Sequence, residues 1–127
     1  RYIEDTPTII PIMFYANKVA YVDNIGYTYR MNPQSLTHTS NLMKDLIYKG
    51  LCWLDMVDFF NEHDKGMFEA IDIIGYLRNI IGTLNKVHIT DTMIVPYKKQ
   101  WDEFILRLMN CIEITNVNII DGVKGCN

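Results

Sequence analysis

The sequence predicts a mainly α protein: a helical bundle of about three long helices, preceded by one further helix and a short β-hairpin. Three observations carry that expectation. Apolar residues recur at three- and four-residue spacing in three separate stretches beyond residue 38, the period of an amphipathic helix. Alternating β-branched and aromatic runs are confined to two short segments between residues 18 and 31, the size of a hairpin. The chain has 127 residues, 49% of them hydrophobic, which suits one ordinary domain with a buried core and argues against disorder.

Asp5 or Thr6 can cap the first helix, with Pro7 in its first turn, where a missing amide N–H costs little. This helix is expected to run to about Asn17, slightly distorted at Pro11. The runs "KVAYVD" and "IGYTYRM" follow as two short, paired strands, the second with Tyr27 and Tyr29 on one side and Thr28 and Arg30 on the other. From Thr39 or Ser40 the period becomes helical. Leu42, Met43, Leu46, Ile47, Trp53, Leu54, Val57 and Phe60 form one broad stripe, with Asn41, Lys44, Asp45, Lys49, Asp55 and Asp58 opposite. Cys52, Met56 and Phe59 fall on the polar side, so part of that second face is expected to be covered as well. "HDKG" ends this helix. The next stripe is Ala70, Ile73, Ile74, Leu77, Ile80, Ile81 and Leu84, with Glu69, Asp72, Asn79, Thr83 and Lys86 facing away. Pro96 can open the last helix, whose stripe is Tyr97, Trp101, Phe104, Ile105, Leu108 and Ile112. Beyond Thr115 the pattern leaves strand and frayed end equally open.

Composition narrows the function. A formal net charge of −3, with Lys98-Lys99 as the longest basic cluster, excludes an ordinary nucleic-acid binder, which needs clustered Lys and Arg against phosphate. No apolar run reaches the roughly 20 residues that span a bilayer, so any membrane contact is expected to be peripheral. Cys52, Cys111 and Cys126 are odd in number and widely spaced, a pattern of reduced cytoplasmic thiols rather than of a disulfide framework.

Few residues carry a chemical signal. Glu4 and Asp5 can simply be favourable charges at a helix N-terminus, or, if a cleft lies beside them, Asp5 can be a general base for an incoming hydroxyl. His38, in the polar turn "NPQSLTHTS", can donate to a phosphate or ligate a metal, yet no second His or Cys stands at ligand spacing. Arg30 can bind an anion or cover a neighbouring aromatic. His63, at a helix end, and His88, in a connector, are weaker candidates, and there is no Gly-rich phosphate loop.

Taken as one string, "IEDTPTIIPIMFYANKVAYVDNIGYTYRMNPQSLTHTS" resembles the distal part of the catalytic domain in family 2 glycosyltransferases. The likeness is an order of features: an acidic pair opening a helix, "A-x-K-V-A-Y-V-D", a "Y-x-Y-R" strand, then "N-P-x-S-L-T-H". It covers about 38 of the 127 residues and implies a division into residues 1–38, the distal segment of a GT-A α/β domain, and residues 39–127, a C-terminal helical domain. The chain opens on "RYIEDTPTII" without Met or any leader-like segment, as expected of a piece of a longer protein. The resemblance further implies an inverting transfer from a nucleotide-sugar to the hydroxyl of a glycan or lipid-linked acceptor. Asp5 would be the base and Glu4 its neighbour, with His38 and Arg30 near the donor diphosphate. It also implies Mn or Mg held mostly by residues outside this chain, an N-terminal nucleotide-binding half as partner, and a cytoplasmic location at the inner face of a membrane. Thr28 departs from the aromatic usual in the strand motif, and the acidic metal motif is missing. A non-catalytic helical interaction module is the alternative.

Overall fold

The computed structural model describes residues 5–24, 26–28, 41–64 and 72–111. Over these residues the protein is mainly helical, as the apolar stripes require. Helix α1 (Asp5–Tyr15) ends slightly before the expected Asn17, where the Ala16 amide donates to the Met13 carbonyl at 3.2 Å. Pro11 lies inside α1, where the ring forgoes one backbone bond without ending the helix. No strand occurs among the described residues: residues 18–23 are neither helix nor strand, and most of the second run lies outside the described set. Val19, Tyr21 and Val22 are exposed, and β-branched or aromatic character makes a strand only when a neighbouring strand supplies the ladder and the packing.

Helix α2 (Leu42–His63) begins at an Asn41 cap, whose side-chain oxygen accepts from the Met43 amide at 2.9 Å and the Lys44 amide at 3.4 Å. It ends where Asp64 turns to extended backbone, its amide still donating to the Phe60 carbonyl. Helix α3 (Ile73–Leu84) is capped by Asp72, which sits in the left-handed region at φ 48°. A short polar side chain tolerates that conformation when it bonds locally, and Asp72 Oδ1 accepts from the Gly75 amide at 3.2 Å. A Cβ at position 75 would run into the Asp72 carboxylate, so the glycine is what admits the cap. A short helix α4 (Asp91–Ile94) and a 3-10 turn (Val95–Tyr97) containing Pro96 then lead into α5 (Lys98–Asn110).

Helix α2 is the hub. The Phe104 ring of α5 lies against Gly50, and Arg107 of α5 reaches Asp55 and Asp58, so α5 runs parallel to α2. Tyr76 near the start of α3 stacks on Trp53, while Thr83 near its end shares a cleft with Leu46, so α3 runs antiparallel. The core between them comprises Met43, Ile47, Leu51, Leu54, Val57 and Phe60 of α2, Leu77 and Ile81 of α3, and Trp101, Phe104 and Leu108 of α5. Each such side chain contributes on the order of 1.5–3 kcal/mol by leaving water. The expected cover over the second face of α2 is present: Cys52 and Met56 are buried, and Phe59 packs against the core. Part of it is α1, whose Phe14 ring meets Phe59 and Phe60 edge-on at 5.5 and 5.9 Å. Leu42, expected in the stripe, is 51% exposed, although Met43 beside it is buried.

Candidate functional site

Of the residues singled out from the sequence, Asp5 is the first residue of α1 and is exposed. Its carboxylate stands at the end of a helix whose first amides have no intrahelical partner, the positive end of the dipole. Glu4, Arg30 and His38 lie outside the described residues. His88 is exposed in the connector after α3. His63 serves the fold: its ring stacks on Phe59 at 4.4 Å, and its Nδ1–H donates to the Phe59 carbonyl at 2.7 Å. That bond satisfies a carbonyl in the last turn of α2, where a histidine suits the helix end.

At Thr6, the residue after Asp5, the structure opens a cleft of about 370 Å³ whose lining does not include Asp5 itself. Thr6 of α1 forms one wall, Leu46, Lys49, Cys52 and Trp53 of α2 a second, and Tyr76, Asn79, Ile80 and Thr83 of α3 a third. The helical period explains the grouping. Lys49 and Trp53 are one turn apart on α2, while Tyr76, Asn79 and Thr83 follow one another at three- and four-residue spacing on α3. Trp53 was expected in the buried stripe. It stands half-buried on the cleft wall instead, its ring parallel to that of Tyr76 within 6° at a centroid distance of 4.3 Å. Leu46, Cys52 and Ile80 are buried and make the floor apolar. Thr83 turns its hydroxyl back on its own helix, donating to the Asn79 carbonyl at 2.9 Å.

Tyr76, Asn79 and Lys49 were not singled out from the sequence as site residues. Asn79 and Thr83 appeared only as the polar face of α3. The signal was their shared spacing with an aromatic residue, and it gains meaning only once α2 supplies Trp53 and Lys49 opposite.

The described residues contain no group of three or more His, Cys, Asp or Glu side chains able to hold a metal ion. The resemblance implies a metal held mostly by residues outside this chain. No helix among them is long and apolar enough to cross a membrane. Comparison with family models, with curated proteins and with solved structures finds no match to this chain.

Proposed function

We propose that the chain is the C-terminal portion of an inverting family 2 glycosyltransferase, which moves a sugar from a nucleotide-sugar to a hydroxyl acceptor in bacterial surface polysaccharide synthesis at the cytoplasmic face of a membrane. The observation that carries this reading is positional. Asp5, the acid of the matched motif, opens α1 directly before Thr6, which forms a wall of the aromatic and polar cleft. In this reading the Asp5 carboxylate takes the proton of the acceptor hydroxyl as its oxygen bonds to the anomeric carbon. The bond from that carbon to the donor phosphate breaks, and the nucleoside diphosphate leaves with the electron pair. The resemblance would make Glu4 the neighbour of the base in the motif, and would give His38 and Arg30 the role of stabilising the charge growing on the diphosphate. Residues 39–127 support the acceptor side or a partner. In the full-length enzyme, Asp5→Asn is expected to lower turnover by roughly a hundredfold or more with the fold intact. Near-normal sugar transfer by the folded variant would remove Asp5 from the mechanism.

A second reading, the non-catalytic helical interaction module, draws on a different observation. Ile9, Ile12 and Met13 of α1, with Val19, Tyr21 and Val22 after it, are exposed, an apolar surface of the kind that marks contact with another protein. In the transferase reading the same surface meets the upstream nucleotide-binding half. A parent protein with that half and measurable sugar transfer selects the first reading; one without either selects the second.

A further inference from the structure

The cleft between α1, α2 and α3 holds unspent binding groups around an aromatic wall. Its volume, about 370 Å³, falls in the range of small-ligand sites, which are mostly apolar with a few placed polar groups. Among the described residues, the Lys49 ammonium, the Asn79 carboxamide and the Thr6 hydroxyl carry no hydrogen bond or ion pair. Among the described residues Lys49 is the one charged residue of the lining.

The aromatic wall decides what shape fits. Trp53 and Tyr76 already stack on each other at 4.3 Å, so no slot remains between them for a planar base. Tyr76 is 51% exposed and lines the cleft, so its ring is accessible to a ligand there. The electron-rich face of an aromatic ring attracts weakly positive C–H edges. A pyranose offers such a C–H face with hydroxyls around its rim, whereas a plain hydrocarbon would leave Asn79 and Thr6 desolvated and unpaired.

From this geometry we infer that the cleft binds a pyranose ring bearing an anionic group, a carboxylate or a phosphate. The ring lies on Tyr76, the hydroxyls meet Asn79 and Thr6, and the anion meets Lys49 in a charge-assisted hydrogen bond. That this sugar is the acceptor rests on the transferase reading above; that the chain binds it does not.

Fluorescence reads the cleft directly. The chain has two tryptophans, and Trp101 is 6% exposed in the core, so a ligand-dependent change reports Trp53. The 127-residue chain is titrated with methyl glucuronide, glucose 6-phosphate, methyl glucoside and uridine monophosphate. Saturable binding of one or both anionic sugars is expected, at least about tenfold tighter than methyl glucoside, the usual scale of one charged hydrogen bond. The tighter of the two anions identifies the source of the charge. Lys49→Met, at an exposed position, is expected to reduce the anionic sugars to the level of the neutral one, and Lys49→Arg to restore the preference. Three outcomes would overturn the inference: no saturable change with either anionic sugar, Lys49→Met binding unchanged, or uridine monophosphate binding as tightly as the sugars. None of them bears on Asp5→Asn in the parent enzyme, so the cleft and the transferase reading stand or fall separately.

Discussion

Arg107 shows how much one side chain can join. From α5 it gives one nitrogen to Asp55 at 2.8 Å and the other to Asp58 at 2.6 Å, with Glu103 one turn back on its own helix at 3.6 Å. Burial of the guanidinium favours its neutral form, but the hydrogen bonds and charges of Asp55 and Asp58 outweigh that, so its pKa lies above the ordinary guanidinium range. A raised folded-state pKa means that this contribution is fully present below the unfolded value and is lost only as pH rises through the folded one. Arg107 is therefore constant across every ordinary pH. The fork geometry matters more than the charge. Arg107→Lys places a single ammonium where two carboxylates need separate donors and is expected to cost about 1 kcal/mol, discounted for partial exposure. Thermal denaturation should show this as a fall of about 4 °C in Tm, equal at pH 7 and pH 9; an unchanged Tm would show that the fork geometry contributes nothing beyond the charge.

At the scale of elements, two glycines in helix interiors look alike in the sequence and differ in the fold. A glycine there costs about 1 kcal/mol relative to alanine. At Gly50 a Cβ would run into the ring of Phe104, which is fully buried and has nowhere to move. Gly50→Ala should therefore separate α5 from α2 and cost about 1–3 kcal/mol. At Gly82 nothing lies within 4 Å of the added atom, and no described glycine has positive φ, so Gly82→Ala should stabilise by about 0.5–1 kcal/mol. Urea denaturation of the two variants checks both; a stabilised Gly50→Ala would mean that α5 does not approach α2 through Gly50, and a destabilised Gly82→Ala that its surroundings are not open.

These helices were legible because their apolar spacing survives any arrangement of neighbours: Ile73, Leu77, Ile80, Ile81 and Leu84 are buried as their period required. The role of Gly50 was not, since a missing side chain says nothing until the facing ring is placed. Trp53 was misplaced for a related reason. On a helix covered from several sides, a broad stripe cannot say which residue faces core and which lines a gap between neighbours. The cleft was illegible for the same cause, being assembled from Thr6, residues 46–53 and residues 76–83. Asp5 was readable as a candidate from its place before Thr-Pro at a helix start.

For the whole molecule, the transferase reading makes a sharp statement about the chain in isolation. Donor diphosphate carries concentrated negative charge, and the described residues hold no metal-binding cluster to neutralise it. A base without leaving-group stabilisation and donor positioning loses most of its advantage. Calorimetric titration with UDP-glucose and manganese is thus expected to show no manganese-dependent binding in the micromolar range. Saturable micromolar binding, lost in His38→Ala, would mean that residues 1–127 already contain a donor site.

The central position of α2 also sets how the molecule comes apart. Helices α1, α3 and α5 each make their main interhelical packing on α2, so each can detach while the others stay seated, but nothing stays seated once α2 melts. Opening is then hierarchical, in cooperative units of unequal free energy. Native-state hydrogen exchange should find the slowest amides in α2 between Leu51 and Val57, at the free energy of global unfolding, and the fastest helical ones in α1, which buries no residue fully. A ligand held jointly by α1, α2 and α3 would close that gap, slowing exchange in α1 without touching α5, and would turn a loosely attached helix into part of the folded unit.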